Sequence, residues 1–110
     1  MPLPNAEQAV VEIQKLREYC LNPDHPRGKH KARVFESALG LTREDAEQLR
    51  SALLTAIREE KAEQLFEDEY GTRYRLDFQM DVDSSRAEIS SIWIVRLDET
   101  FPKLVTCYIR

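Results

Sequence analysis

The spacing of apolar residues changes near Ala62, and this change constrains the fold of the 110-residue chain more than any other feature. Before Ala62, apolar side chains recur every three or four residues, as on one face of a helix, over residues 9–20 and 46–57. After it, apolar and polar side chains alternate, most clearly over residues 73–80, as in a half-buried strand. Helices followed by strands indicate an α+β fold built in two layers.

Local signals give the limits of the predicted helices. Asn5 is expected to cap the first helix, and two prolines within residues 21–26 end it, because the residue before a proline disfavours helical conformation. A short helix should follow over about residues 29–39. Thr42 begins the clearest helix, and Asp45, three residues later, can return a hydrogen bond to it.

Four strands joined by polar turns should follow the helices. We therefore expect a single domain over residues 1–110, with a helical layer over about 5–61 and an antiparallel sheet over about 62–110. In this arrangement two or three N-terminal helices pack on one face of a four-stranded antiparallel sheet. Alternation assigns to the covered face Tyr74, Leu76, Phe78, Met80, Val105, Cys107 and Ile109, and to the open face Arg73, Arg75, Gln79, Leu104, Thr106 and Tyr108.

Composition favours a cytoplasmic domain that does not contact a membrane. No apolar run approaches the roughly 20 residues that span a bilayer, and the N-terminus lacks the basic and apolar regions of a signal peptide. The two cysteines, Cys20 and Cys107, match neither a disulfide framework nor a zinc cluster. We expect them to be reduced and mostly buried.

Metal or cofactor chemistry is not expected. Residues 81–85 begin like a calcium loop but lack its glycine and its later glutamate. His25 and His30 have no carboxylate or cysteine nearby in sequence that would complete a ligand set. A glycine-rich nucleotide loop is also absent from the sequence, which has three isolated glycines.

A basic segment, residues 27–33, places four cations and one imidazole in seven positions of a chain whose net charge is -4. This concentration indicates a local anion site, with phosphate the leading candidate. Lys29 and Arg33 are four residues apart and would share one face of a helix, with His30 beside them and Lys31 in the same segment. A charged helix start that only faces water would show the same pattern.

A second set of candidates lies on the predicted sheet. Thr106 and Tyr108 would present two hydroxyls on one face of the last strand. Arg73 and Arg75 would lie on the same open face, and Arg96 could reach an anion or pair with Asp98. Threonine and tyrosine are also ordinary strand residues, so their presence alone does not establish a site.

Two motifs resemble those of a family of small bacterial and phage-borne domains of unassigned function. They are GKHKARVF at residues 28–35, preceded by residues 21–26, and LVTCY at residues 104–108, with Trp93 between them. That family is in turn loosely similar to the barnase/EndoU/colicin/RelE-like ribonuclease toxins. The resemblance implies a helical layer on a four-stranded antiparallel sheet, with an active site of basic and hydroxyl residues on the open sheet face.

The resemblance also implies roles for individual residues. His30 would be the general base or acid, Lys29 and Arg33 would stabilise phosphate, and Thr106 and Tyr108 would be the catalytic residues from the strand. Four further residues are expected to contact the substrate: Lys31, Arg73, Arg75 and Arg96. Because the chain is acidic, free RNA is favoured over ribosome-bound RNA as the substrate.

The sequence therefore predicts a metal-independent endoribonuclease of the small toxin type, which cleaves RNA by attack of the 2′-hydroxyl on phosphorus. A small neutralising antitoxin protein is the expected partner. The alternative is a non-catalytic binding module, antitoxin-like or phage-associated, that docks an acidic partner through its basic segment.

Overall fold

A computed structural model describes residues 3–110 of the chain. The fold is α+β, as predicted: three helices precede a four-stranded antiparallel sheet with the strand order β1-β2-β3-β4. The helices are α1 (Ile13–Lys15, continuing as a wider π-helical turn over Leu16–Cys20), α2 (Lys29–Leu39) and α3 (Ala46–Glu59). The strands are β1 (Glu63–Asp68), β2 (Gly71–Val82), β3 (Ser85–Arg96) and β4 (Lys103–Ile109).

The predicted start of the first helix is wrong. Asn5 has a left-handed backbone conformation and makes no side-chain cap, and it precedes only a short 3-10 turn, Ala6–Gln8. Val10 forms a parallel bridge with Lys103 at the outer edge of β4. The Val10 backbone is therefore used to pair with the sheet, and this tertiary hydrogen bonding overrides the local helical pattern.

The predicted cap of the third helix is confirmed. The backbone N–H of Thr42 donates to Asp45 Oδ2 at 2.8 Å, and the Thr42 hydroxyl contacts the same oxygen at 3.2 Å. This capping box precedes a 3-10 turn, Arg43–Asp45, that leads into α3. Leu49, Leu53 and Ile57 then recur along one side of α3 and are fully buried.

The core cluster combines side chains of the helices with those of the sheet, among them Leu76, Phe78 and Trp93. Trp93 is fully buried, and its indole N–H donates to Ser91 Oγ at 2.9 Å. The Ser91 hydroxyl donates in turn to the carbonyl oxygen of Leu76 at 2.7 Å. The two buried polar groups are thus satisfied, and they link β2 to β3 inside the core.

A bulge in β4 changes the predicted alternation of that strand. Thr106 pairs with Ile92, but Leu104 pairs with Trp93, so Val105 is an extra residue between them. Leu104 is consequently buried in the core, whereas we had assigned it to the open face with Thr106, and Val105 is only partly buried. None of the helices over residues 3–110 is long and apolar enough to cross a membrane.

Candidate functional site

The ammonium group of Lys31 contacts two hydroxyl groups, one from the turn after α1 and one from β4. Its Nζ donates to Tyr19 Oη at 3.1 Å and to Thr106 Oγ1 at 3.2 Å. It also lies 5.0 Å from the centroid of the Tyr19 ring and 5.7 Å from that of Tyr108, within range of cation–π attraction. An ammonium group has three donors, so these two hydrogen bonds leave one for a ligand.

Lys31 has no acidic partner in the part of the chain that the structure describes. Eight ion pairs form between charged groups there, and Lys31 takes part in none of them. Its charge is therefore neutralised only partly, by hydroxyl dipoles and aromatic faces. A half-buried cation in such surroundings attracts an anion more strongly than an exposed lysine does.

The position of Lys31 on α2 explains why it reaches β4. Phe35, four residues later, is fully buried and anchors this part of the helix in the core. Lys29 and Arg33 are each two residues from Lys31, which is about 200° around a helix. The predicted pair therefore lies on a different side of α2 from Lys31.

A small cleft lies beside Lys31. Its volume is about 300 Å³, and it is lined by His30, Lys31, Val34, Tyr108 and Ile109. The cleft is mainly apolar, with an ammonium group and an imidazole at its border. Such a composition suits a flat apolar group that carries an anion at one end.

The loop before α2 fixes the position of Tyr19. His25 Nδ1 accepts hydrogen bonds from the backbone N–H groups of Arg27 and Gly28, both at 3.0 Å, so the proton of the neutral ring is on Nε2. The His25 and Tyr19 rings meet edge to face with centroids 4.8 Å apart. A Cβ on Gly28 would lie 2.4 Å from the Tyr19 carbonyl oxygen, so only glycine allows the loop to approach this closely.

Two free, buried cysteines lie behind the lysine. The pKa of Cys20 is lowered to about 7, chiefly by a hydrogen bond from the Cys107 thiol. Burial opposes this shift, whereas the Cys107 backbone, the Thr106 hydroxyl and the Lys31 charge act in the same direction as the thiol. The same hydrogen bond, together with burial, raises the pKa of Cys107 well above its ordinary value. Cys20 is therefore the thiol of the pair that ionises first.

The depressed pKa of Cys20 makes the stability of the fold depend on pH. In the unfolded chain its pKa returns to the ordinary 9.0, so between pH 7 and 9 the unfolded state binds more protons. The free energy of unfolding should therefore rise over this interval, and the raised pKa of Cys107 opposes the rise only above about 9. Chemical denaturation of the wild type and of Cys20→Ser at both ends of the interval measures the effect. An equal rise in both proteins would contradict the prediction.

We call Lys31 and the residues around it, Tyr19, His30, Thr106 and Tyr108, the Lys31 cluster. The three arginines of the sheet do not belong to it. Arg75 Nη2 pairs with Glu63 Oε2 at 2.9 Å across β1 and β2. Arg73 Nη2 lies 3.7 Å from Asp68 Oδ2, and the guanidinium stacks on Phe66 at 5.3 Å. Arg73 and Arg96 both line a second cleft, at the end of the sheet.

The structure thus brings part of the predicted site together. His30, Lys31 and Tyr108 share one cleft, and Thr106 joins them through its hydrogen bond with Lys31. Lys29 and Arg33 do not line this cleft.

Comparison with known proteins gives a family. A family model described as a domain of unknown function, DUF6883, matches residues 2–110. The chain belongs to this family. No curated protein and no solved structure shows significant similarity to it. The predicted resemblance to a family of small domains of unassigned function is therefore confirmed, and the DUF6883 match covers both the GKHKARVF and the LVTCY segments.

Sequence reasoning missed Tyr19 and His25 in this member of the DUF6883 family. His25 had been considered only as a metal ligand, and no group of three or more potential ligands forms over residues 3–110. The signal that could have revealed both residues is Gly28, since a buried glycine beside a histidine-containing loop indicates a close approach of two backbone segments.

Proposed function

We propose that the chain is a metal-independent endoribonuclease of the small bacterial toxin type, which cleaves RNA by attack of the 2′-hydroxyl and leaves a cyclic phosphate. The proposal takes the helical layer to pack on one face of the sheet. The observation that carries it is the Lys31 ammonium group, which is held by Tyr19 and Thr106 and has no acidic partner among residues 3–110.

The residues around Lys31 supply the groups that this reaction requires. The third N–H donor of Lys31 would bind a non-bridging phosphate oxygen and stabilise the charge that gathers there in the transition state. His30 would remove the 2′-hydroxyl proton or protonate the leaving oxygen. Tyr108 would stack on the base or donate the second proton, and Thr106 and Tyr19 would keep the ammonium group in place. Lys29 and Arg33 would contact phosphates farther from the bond that breaks.

Charge favours this cleft over a larger one in the described part of the chain. A cleft of about 710 Å³ lies between α3 and β2, and its charged lining consists of Glu59, Glu60 and Asp81. Carboxylates repel phosphate, whereas the cleft at Lys31 combines a cation with an imidazole.

Cleavage of a mixed RNA pool tests the proposal. We expect the wild type to cut RNA equally well with and without a chelator, and to leave ends that carry a cyclic phosphate. An oligonucleotide with 2′-deoxyribose at every position should stay intact, because it lacks the nucleophile. His30→Ala should lose about 10²–10⁴-fold in rate with folding preserved. Absence of cleavage by the wild type, or cleavage of the deoxy substrate, would disprove the proposal.

A non-catalytic binding module is the second candidate. It is favoured by the exposed Arg33 and Val34, which place a cation beside an apolar side chain that is 43% exposed on α2. Such a surface would dock an acidic protein, and in the ribonuclease case the neutralising antitoxin would use it. This candidate would be favoured if the wild type does not cleave RNA and if His30→Ala still binds the partner. Under both candidate functions we propose that the protein acts in the cytoplasm.

A further inference from the structure

A second cleft lies at the end of the sheet where two turns meet. Its volume is about 620 Å³, and its walls come from the β1–β2 turn, the end of β3, the start of β4 and α1. We call it the turn cleft. Its lining residues that matter here are Lys15, Glu69, Tyr70, Arg96, Leu97 and Asp98.

The turn cleft is preformed by a close backbone contact. Gly71 has φ +144, and a Cβ at this residue would lie 2.3 Å from the Val95 carbonyl oxygen and 2.8 Å from Arg96 Cα. A glycine is therefore required for the β1–β2 turn to approach the end of β3. Because of this contact, Tyr70 and Arg96 already line the same cleft before any ligand binds.

Two large side chains are exposed in the turn cleft. Tyr70 is 64% exposed and Leu97 is 72% exposed, the two most exposed large hydrophobic residues over residues 3–110. Tyrosine that is solvated in this way, next to a second apolar side chain, offers a stacking surface for a planar ring.

The charges of the turn cleft fit a nucleotide better than a simple anion. Arg96 forms no ion pair within the described residues, so its guanidinium is available to a phosphate. Glu12, Glu69 and Asp98 line the same space and would repel a bare anion, but this cleft, unlike the one between α3 and β2, also has cations in its lining. A nucleotide presents both a phosphate for the arginine and N–H donors on the base edge for a carboxylate.

Strand β4 connects the turn cleft, which Leu104 and Val105 line, with Lys31, which donates to Thr106. Lys15, which lines the turn cleft, donates to the carbonyl oxygen of Leu104 at 3.3 Å, and Lys31 donates to Thr106. Leu104 and Thr106 are two residues apart, which is about 7 Å along a strand. One nucleotide of an extended single strand covers such a distance, so the two lysines can contact neighbouring phosphates.

We propose that the turn cleft is a second nucleotide subsite of the same enzyme, in which the base of the nucleotide next to the cleaved dinucleotide stacks on Tyr70 and its phosphate binds Arg96. This inference rests on the proposed ribonuclease function. It implies that the substrate is single-stranded RNA that runs along β4 from the Lys31 cluster to the turn cleft, because a base inside a duplex is not free to stack on the protein.

Binding of oligonucleotides that cannot react tests the subsite. Fully 2′-O-methylated RNA lacks the attacking hydroxyl, so fluorescence anisotropy with a dinucleotide and a tetranucleotide measures binding alone. We expect Tyr70→Ala and Arg96→Ala each to weaken binding of the tetranucleotide by about 10-fold or more and to leave the dinucleotide unaffected. Tyr70→Phe should bind like the wild type, because stacking needs the ring. Arg58→Ala, which removes an exposed arginine of α3 outside both clefts, is the matched control.

The outcomes separate this inference from the function on which it rests. If the wild type cleaves RNA but Tyr70→Ala and Arg96→Ala bind the tetranucleotide normally, the turn cleft is not a subsite and the ribonuclease proposal stands. Equal losses for the dinucleotide and the tetranucleotide would also overturn the subsite. If the wild type neither cleaves nor binds RNA, the function itself fails, and the inference fails with it.

Discussion

Replacing Lys31 with alanine should lower the rate of RNA cleavage by about 10²–10³-fold, the effect of removing one donor that stabilises a transition-state charge. The reason is geometric. Lys31 is the cation that contacts both Tyr19 and Thr106 and that lies in the cleft with His30. Single-turnover cleavage of a short fluorescent RNA, under saturating enzyme, measures the chemical step apart from binding.

Two further variants keep this result interpretable. Lys31→Met removes the charge and preserves the aliphatic stem between the tyrosine rings, so it should lose activity to a similar extent even if the alanine variant folds poorly. Lys61→Ala removes an exposed lysine from the turn before β1 and should retain the wild-type rate. If Lys31→Met cleaves RNA like Lys61→Ala, Lys31 does not act in the reaction.

Replacing Trp93 with alanine should produce the largest loss of stability, about 3–5 kcal/mol. The indole is fully buried, and its N–H donates to Ser91, which bonds in turn to the Leu76 carbonyl. The substitution leaves a large cavity and removes the donor that satisfies Ser91. Because a domain of this size is stable by only about 5–15 kcal/mol, the loss is at least about a fifth of the free energy of unfolding.

Urea denaturation followed by circular dichroism measures this loss. Leu97→Ala, which truncates a side chain that is 72% exposed, is the control and should change the free energy of unfolding by less than about 0.5 kcal/mol. A loss below about 1 kcal/mol for Trp93→Ala would show that the core closes around the missing ring and that Trp93 is not its anchor.

The parts of the fold that local sequence determines could be predicted. The buried stripe of α3 and its cap at Thr42 follow from spacing and side-chain chemistry within a few residues, and the alternation over residues 73–80 gives β2 in the same way. The pairing of Val10 with Lys103 could not be predicted, because it joins segments about ninety residues apart and replaces hydrogen bonds that a helix would otherwise supply.

The site was predictable by region and less so by residue. Concentrated positive charge and two hydroxyls identified α2 and β4. The choice between Lys29 and Lys31 depends on which side of α2 faces β4, and that is fixed by the burial of Phe35 and not by the charges themselves. The bulge at Val105 was also missed, because Leu104 and Val105 are both apolar and the sequence does not show which of them faces the core.

The bridge at Val10 has a consequence for how copies of this protein behave toward one another. The outer edge of a sheet is a template for another strand unless its backbone groups are occupied. Here the Val10 N–H donates to the Pro102 carbonyl oxygen, and the Val10 carbonyl oxygen accepts from the Leu104 N–H. The Lys15 ammonium group donates to the Leu104 carbonyl oxygen. Residues 10–15 therefore protect the start of the outer edge of β4 from pairing with a strand of another copy, and detaching them would expose that edge beside the proposed RNA path.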